Sequence, residues 1–393
     1  MTYEPAEDTE LLKHFLLDEL KQLSIHSICE VGCGSGEIIT TLKQAYPNLQ
    51  AHATDINPRA IQDTQQLAKE KRVEVNVKKG EFLKPFFNQQ FDCIFFNTPY
   101  LPVEDNENFQ ELSIEDKALY GGTLGCEVTN QFLDSLHSNI HKDSVIYILI
   151  STLTKPNLVE ESIRENGFEF EVIGKQKHFF EELLVYKIQP NNVLKHLLEH
   201  NYQKILKFDK GKHSHILPAK KNGKIVMVKF GKEQHIQKEI FYLQKLQDTN
   251  YVPKIVEYKT NFVIYEKIEG MIMKDYLEKY EIKSLEELEN VINRILEICF
   301  DLDQRGISKD EMTRPHHHIF INPKNLEEIY FIDFERSTLT SRFQNSRQFI
   351  QYVFKYNFVF QKFSKEVLRN NIIAIGKEIE KRKEPINIQE LYD

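Results

Sequence analysis

The chain has 393 residues, 41% of them hydrophobic and 28% charged, with a net charge of −8. That length suits roughly two to three domains, and the mixture is that of ordinary globular proteins with ample apolar mass for a core. No Pro/Gly/Ser-rich or single-charge block is long enough to read as disordered. The five cysteines (Cys29, Cys33, Cys93, Cys126, Cys299) include no CxxC pair, so free thiols are expected rather than a disulfide scaffold or a zinc site.

The charge is uneven. Residues 1–190 hold 17 Lys and Arg against 30 Asp and Glu, and the remaining residues hold 34 against 29. Two units with different surfaces are expected, over residues 1–189 and 190–393. The acidic one is a poor binder of bare phosphate backbones. Apolar runs such as Val145 to Ile150 fall far short of the ~18 residues that span a bilayer. Met1-Thr2-Tyr3-Glu4 lacks the basic and apolar regions of a secretory signal. A cytoplasmic protein without a membrane segment is therefore expected.

In chain order, Leu11, Leu12, Phe15, Leu16, Leu20 and Leu23 recur at helical spacing and predict an amphipathic helix over residues 7–23. A strand at 27–31 is broken by Gly32-Cys33-Gly34-Ser35-Gly36, and helix-compatible sequence continues to Ala45. Further strands are predicted at 50–54, ending before Asp55, at 73–77, with Glu81 just beyond, at 91–96, running into Asn97-Thr98-Pro99-Tyr100, and at 145–151. Strands alternating with helices imply a doubly wound, mostly parallel α/β sheet of Rossmann-like type. Ligands of such sheets sit outside the carboxyl ends of the strands. The Gly-rich turn, Asp55 and the Asn97 tetrad should therefore meet in one crevice.

Each feature also has a plain structural explanation. A Gly-rich turn can be merely tight, Asp55 can cap the helix begun by Pro58-Arg59-Ala60, and Asn97 to Tyr100 can be a proline turn. Functionally, glycines let a cofactor approach the backbone, and an acid at the second strand end can accept from a ribose diol. Their joint occurrence at successive strand ends is more specific than any one alone.

Glu30-Val31-Gly32-Cys33-Gly34-Ser35-Gly36, Asp55-Ile56-Asn57-Pro58 and Asn97-Thr98-Pro99-Tyr100 resemble the class I S-adenosylmethionine-dependent methyltransferases. The tetrad is similar to the Asn-Pro-Pro-Tyr signature of enzymes that methylate planar nitrogens. These are adenine N6 methyltransferases of DNA and RNA and HemK-like glutamine N5 methyltransferases. Tyr3-Glu4-Pro5-Ala6-Glu7-Asp8-Thr9 and Tyr120 to Val128 (YGGTLGCEV) resemble the archaeal and eukaryotic HemK-like branch, which acts on class-1 translation termination factors. The resemblance spans residues 1–189. It implies cofactor contacts from Thr9, Glu30, Gly32, Gly34, Gly36, Asp55, Ile56, Glu81, Phe82 and Asn97. It also implies catalysis by Asn97, Thr98, Pro99 and Tyr100, and a small zinc-binding activator protein as partner. Two positions depart from the family: Thr98 replaces the first Pro, and Glu81 stands where Asp is usual.

The chemistry agrees. Methyl transfer from a sulfonium needs the acceptor nitrogen aimed at the methyl carbon, so positioning supplies most of the rate. The Asn97 side-chain oxygen and the backbone carbonyl of residue 98 can grip an amide NH2, and Tyr100 offers a face to the planar group. Thr98 presents its carbonyl as Pro would, and Thr98→Pro is expected to be tolerated.

After Pro190-Asn191-Asn192, which reads as a connector, a helix is predicted over 193–206, strands at 224–230 and 262–265, a helix at 234–246 and a strand at 331–335. Lys229 ends one strand, Glu239 lies ten residues on, and Asp333 sits on the late strand. A lysine–glutamate pair with a separate aspartate can hold ATP phosphates and magnesium. Over residues 195–345 this set resembles an atypical RIO-like archaeal protein kinase, an α+β fold. The resemblance implies ATP and Mg2+ as cofactors. Gly211 would lie in the phosphate loop, Lys229 and Glu239 at the nucleotide, Asp333 on magnesium, and Asp310 or Glu311 would be the base. His-Arg-Asp is absent, His318 stands where a magnesium-binding Asn is expected, and Asp333-Phe334-Glu335 replaces Asp-Phe-Gly. The whole reads as a glutamine methyltransferase acting on a termination factor, fused to a kinase-like domain. The alternative is an adenine N6 methyltransferase fused to a nucleotide-binding or docking module.

Overall fold

The computed structural model describes residues 5–103, 109–178, 180–206, 214–309, 312 and 314–392. The chain divides into two compact units. One comprises the described residues up to 206 with 215–223, and the other Ser214 with the described residues from 224 onward.

The first unit opens with α1 (Glu7–Glu19), followed by β1 (Ser27–Val31), α2 (Glu37–Ala45), β2 (Gln50–Asp55), α3 (Pro58–Glu70), β3 (Val75–Lys79) and β4 (Phe91–Asn97). A short parallel pair, β5 (Leu101–Pro102) and β6 (Tyr120–Gly122), precedes α4 (Glu127–Ser135), β7 (Ile140–Ser151), α5 (Pro156–Glu165), β8 (Phe168–Lys177), β9 (Glu182–Pro190) and α6 (Asn192–Glu199). The seven-stranded sheet has the order β3-β2-β1-β4-β7-β9-β8. Pairs from β3 to β7 are parallel, and β9 runs antiparallel to both β7 and β8. This is the Rossmann-like class I methyltransferase arrangement, a mixed rather than wholly parallel sheet. The order reverses between β1 and β4, where a ligand crevice belongs.

Burial follows from position in the sheet. β4 and the second half of β7 are covered on both faces, so their sequences are near-continuous apolar runs. One core joins Leu12 and Leu16 of α1 with Ile39 and Leu42 of α2, Ala51 and Ala53 of β2, Phe95 of β4, and Tyr147 and Leu149 of β7. On the other face, the Phe96 ring meets Phe132 of α4 edge-on at 5.1 Å.

The segment read as a connector is structural. Pro190 closes β9, and the Asn191 side chain accepts from the N–H groups of Val193 and Leu194 as the cap of α6. That helix packs on β7 and buries Val193, Leu194 and Leu197. It ends at Glu199, short of the expected 206. Beyond it, Gln203 bridges Lys220 of β10 (Ser214–Lys221).

In the second unit, β11 (Lys224–Gly231) pairs antiparallel with β13 (Phe262–Glu266), and so does β12 (Ile255–Lys259). Helix α7 (Glu233–Lys245) lies against these strands. Short strands β14 (Met271–Ile272), β16 (Ile319–Ile321) and β17 (Ile329–Phe331) form a second sheet, and β15 (Ile307–Ser308) pairs with β18 (Thr338–Leu339). Helices α8 (Met273–Glu278), α9 (Leu285–Gln304) and α10 (Asn345–Lys355) enclose a large apolar core. The late strand ends at Phe331, two residues before Asp333. Asp333 has φ +66°, a left-handed conformation that a strand does not accommodate. Among the described residues no helix is long and apolar enough to cross a membrane.

Because α6 belongs to the first unit, a fragment of residues 1–189 should be less stable than one of 1–206. Each buried aliphatic side chain is worth ~1.5–3 kcal/mol, so the shorter fragment should lose several. Thermal unfolding of the two fragments is the measurement; equal midpoints would contradict the packing of α6.

Candidate active site

A cavity of about 680 Å3 opens at the carboxyl ends of β1, β2 and β4, a volume suited to a cofactor-sized ligand. Thr9, Glu30, Gly32, Gly34, Asp55, Ile56, Glu81, Phe82, Asn97, Thr98, Pro99 and Tyr100 all line it. Gly36 does not appear among the lining residues. It caps α2 with φ +81°, and a Cβ there would strike Thr64 at 2.7–2.9 Å. Its glycine therefore serves the close approach of α2 and α3.

The turn after β1 is held from the next strand. One Asp55 oxygen accepts from the Gly34 N–H at 3.0 Å, and the other accepts from the Asn57 N–H at 2.8 Å. Burial raises the Asp55 pKa against these two N–H bonds. Gly32 has φ +64°, and a Cβ on it would lie 2.8 Å from the Phe96 ring, so only glycine fits there. Glu30 is buried and accepts from the Ile39 N–H at 3.1 Å; burial pushes its carboxyl well above the usual range. Glu81 is exposed and paired with Lys84. Phe82 stands against Phe96 and Phe132, with centroids 6.3 and 6.0 Å away.

At the end of β4, the Asn97 Nδ2 donates to Asp8 Oδ2 at 3.0 Å. Asn97 Oδ1 is buried with no hydrogen-bond partner. Sequence reading missed Asp8, although it adjoins Thr9 in the quoted N-terminal motif. Thr98 turns its hydroxyl into the sheet: Oγ1 and the backbone N–H donate to the Leu149 carbonyl at 2.7 and 3.3 Å. Pro at 98 would offer neither donor, which bears against the expectation that it is tolerated there. Burial raises the Tyr100 pKa above its ordinary value. Gly121 and Gly125 lie so close to the backbone carbonyls of Pro99 and Tyr100 that a Cβ would come within 2.4 and 2.5 Å. The Tyr120–Val128 segment is thus packed against the tetrad. Glu127 holds its turn by accepting from the Leu124 and Cys126 N–H groups.

A second cluster lies in the second unit. Lys229 of β11 is buried, with Nζ 2.9 Å from Asp333 Oδ1, 3.4 Å from Glu239 Oε2 and 3.6 Å from Glu335 Oε2. Glu239 of α7 also accepts from the Phe334 N–H. His318 Nδ1 is 3.3 Å from Asp333 Oδ2, and Lys309 Nζ donates to the Asp333 carbonyl at 2.7 Å. Burial opposes charge on Asp333, yet His318, Lys229 and Lys309 hold its carboxyl well below the usual carboxylate range. Burial likewise opposes the Lys229 ammonium, and Glu239 and Asp333 more than offset it. Glu335 and Lys309 were not anticipated from the sequence. Gly211, Asp310 and Glu311 lie outside the described residues. Among the described residues no group of three or more His, Cys, Asp or Glu is arranged to hold a metal.

The methyltransferase small domain family model matches residues 11–115. The chain is 34% identical over 187 residues to a putative protein N5-glutamine methyltransferase of Methanocaldococcus jannaschii, covering 47% of this chain and 89% of the relative. It is 28% identical to the eRF1 methyltransferase catalytic subunit mtq2 of Schizosaccharomyces pombe, over 47% of this chain and 88% of that protein. Among solved structures, the E. cuniculi Mtq2-Trm112 complex aligns at 23% identity with a TM-score of 0.38, covering 48% of this chain and 99% of that one. With a family-model match in its first half and a relative covered over nearly its whole length, the chain belongs to the family of protein N5-glutamine methyltransferases.

Proposed function

We propose that the first unit transfers a methyl group from S-adenosylmethionine to the side-chain amide nitrogen of a glutamine in a translation termination factor. The observation that carries this reading is the buried, unpartnered Oδ1 of Asn97 on the cavity wall. A buried acceptor without a donor is costly, and an incoming N–H removes that cost. The cavity fits the cofactor: Gly32 and Gly34 bring bare backbone to its wall, and Asp55 adds a carboxylate beside them. S-adenosylmethionine supplies an electrophilic methyl group. The chain's own residues do the rest. Asn97 Oδ1 and the Thr98 carbonyl accept from the two N–H groups of the amide and aim its nitrogen, while Tyr100 bounds the planar group. Positioning of this kind, with stabilisation of charge developing on nitrogen, supplies the rate.

The termination factor is favoured by the names of the relatives, one a protein N5-glutamine methyltransferase and the other an eRF1 methyltransferase catalytic subunit. Because the latter is named a subunit, the proposal extends to a small activator partner.

Asn97→Ala should lose ~2.7–4 kcal/mol of transition-state stabilisation, by analogy with removing one preorganised polar group from another active site. The assay is mass spectrometry of purified termination factor after incubation with cofactor and activator. Methylated adenine in DNA or RNA, with an unmodified factor, would replace this reading by adenine N6 methylation. Thr98→Pro keeps the carbonyl of residue 98 but strips the Leu149 carbonyl of both donors. It should destabilise the fold by ~1–3 kcal/mol, read as a lowered denaturation midpoint; an unchanged midpoint would refute the pairing.

For the second unit we propose nucleotide binding, with Lys229 facing the phosphates and Glu239 orienting it. The buried lysine shared between a helix glutamate and Asp333 favours this over a docking module. Nucleotide binding alone, without phosphotransfer, is proposed. Lys229→Met should abolish ATP binding measured by calorimetry, with folding checked by thermal melting. Equal affinity in a folded variant would leave the docking-module reading.

A further inference from the structure

The Asn97 amide has two ends of nearly equal size and opposite hydrogen-bonding character, and only one of them can serve an amide substrate. The geometry points to Asp8 as the positioning residue that fixes which end faces the cavity. An ionised carboxylate only accepts hydrogen bonds. With Asp8 Oδ2 3.0 Å from the amide, the facing atom must be Nδ2. A rotation of 180° would set two acceptors face to face with no proton between them. Oδ1 is therefore turned away from Asp8, and it is the atom left buried without a partner.

Asp8 is itself immobilised. It is only 5% exposed, and its Oδ1 accepts from the Thr9 N–H at 2.7 Å. It lies in the first turn of α1, beside Glu7 and Glu10, where the helix dipole favours negative charge. Asp8 is 89 residues from Asn97 in sequence, so the first turn of α1 sets the polarity of an atom at the end of β4.

This inference rests on the methyl-transfer reading for its consequence, though not for its geometry. A glutamine side chain also has two near-isosteric ends. A relay running from substrate N–H to Asn97 Oδ1, and from Asn97 Nδ2 to Asp8, admits the NH2 end and rejects the carbonyl end. Asp8 thereby makes Asn97 select, together with the Thr98 carbonyl, the amide nitrogen rather than its oxygen for presentation to the methyl donor.

The test compares Asp8→Asn with Asp8→Ala in the full chain. Asparagine at position 8 can donate to Asn97 Oδ1 and turn Nδ2 toward the cavity, so that a donor meets the substrate NH2 that the Thr98 carbonyl still grips. Alanine merely frees Asn97 to rotate. The isosteric variant should therefore be the worse enzyme. For Asp8→Asn, kcat should fall about 10- to 100-fold, the scale of a mispositioned reacting group, with KM for the protein substrate unchanged. Adding Asp8→Asn to Asn97→Ala should cause no further loss. In the cofactor-free protein, the side-chain amide NMR signals of Asn97, assigned by their loss in Asn97→Ala, should shift on Asp8→Asn substitution. A milder effect of Asp8→Asn than of Asp8→Ala, multiplying losses in the double variant, or unmoved Asn97 signals would each overturn the inference. A wild-type chain that methylates no termination factor would refute the substrate reading, while the NMR comparison would still decide the role of Asp8.

Discussion

The carboxylate of Asp55 is the tie on which the cavity depends. It accepts from Gly34, in the turn after β1, and from Asn57, at the start of α3, so one side chain sets two strand ends in register. The turn it holds cannot relax by accepting other residues. Gly32 is pressed on Phe96 and Gly36 on Thr64, both with positive φ. Close packing of the first three strands and their helices leaves the turn a single shape, with its backbone bare on the cavity side. Burial works against Asp55, and the two N–H bonds are what make a charged group tolerable there.

The other side of the cavity is organised by the same economy of polar groups. Thr98 satisfies its N–H and hydroxyl on the Leu149 carbonyl, and Asn97 satisfies its NH2 on Asp8. Asn97 Oδ1 remains buried without a partner. Glycines at 121 and 125 let the loop before α4 approach the carbonyls of Pro99 and Tyr100, which limits the freedom of the tetrad after β4 ends. The site thus has a closely held floor with an unmet acceptor on it, an arrangement suited to chemistry that depends on aim.

Much of this was legible because an α/β sheet collects its strand ends. Once 27–31, 50–54 and 91–96 read as strands, the Gly turn, Asp55 and Asn97 had to converge. Contacts decided by distant residues were not legible. Asp8 lay in a quoted motif, but only the folded chain brings it to Asn97. The hydroxyl of Thr98 finds Leu149 only because β4 and β7 are neighbours. Pro190-Asn191-Asn192 has the composition of a linker, and only the burial of α6 shows that Asn191 is a cap. In the second unit, Phe331 to Glu335 has the apolar pattern of a strand. The left-handed turn at Asp333, which hydrophobic pattern does not encode, instead brings Asp333 and Glu335 to the same lysine.

That turn has an electrostatic consequence. Three carboxylates, from Glu239, Asp333 and Glu335, surround one buried ammonium, with Lys309 bonded to the Asp333 carbonyl nearby. Carboxylates taken from water cost several kcal/mol each unless they are paired, and one lysine does not satisfy three equally. Asp333 has the shortest contact and His318 besides. Glu239 also accepts the Phe334 N–H. Glu335 stands 3.6 Å from Lys229 and 3.9 Å from His235 Nδ1, and its Oε2 has no hydrogen bond. A phosphate bound at Lys229 as proposed would compete with these three carboxylates for one ammonium. Glycine at position 335 would leave the lysine more open. With glutamate there, the resting site holds a substitute for the anion that it is proposed to bind.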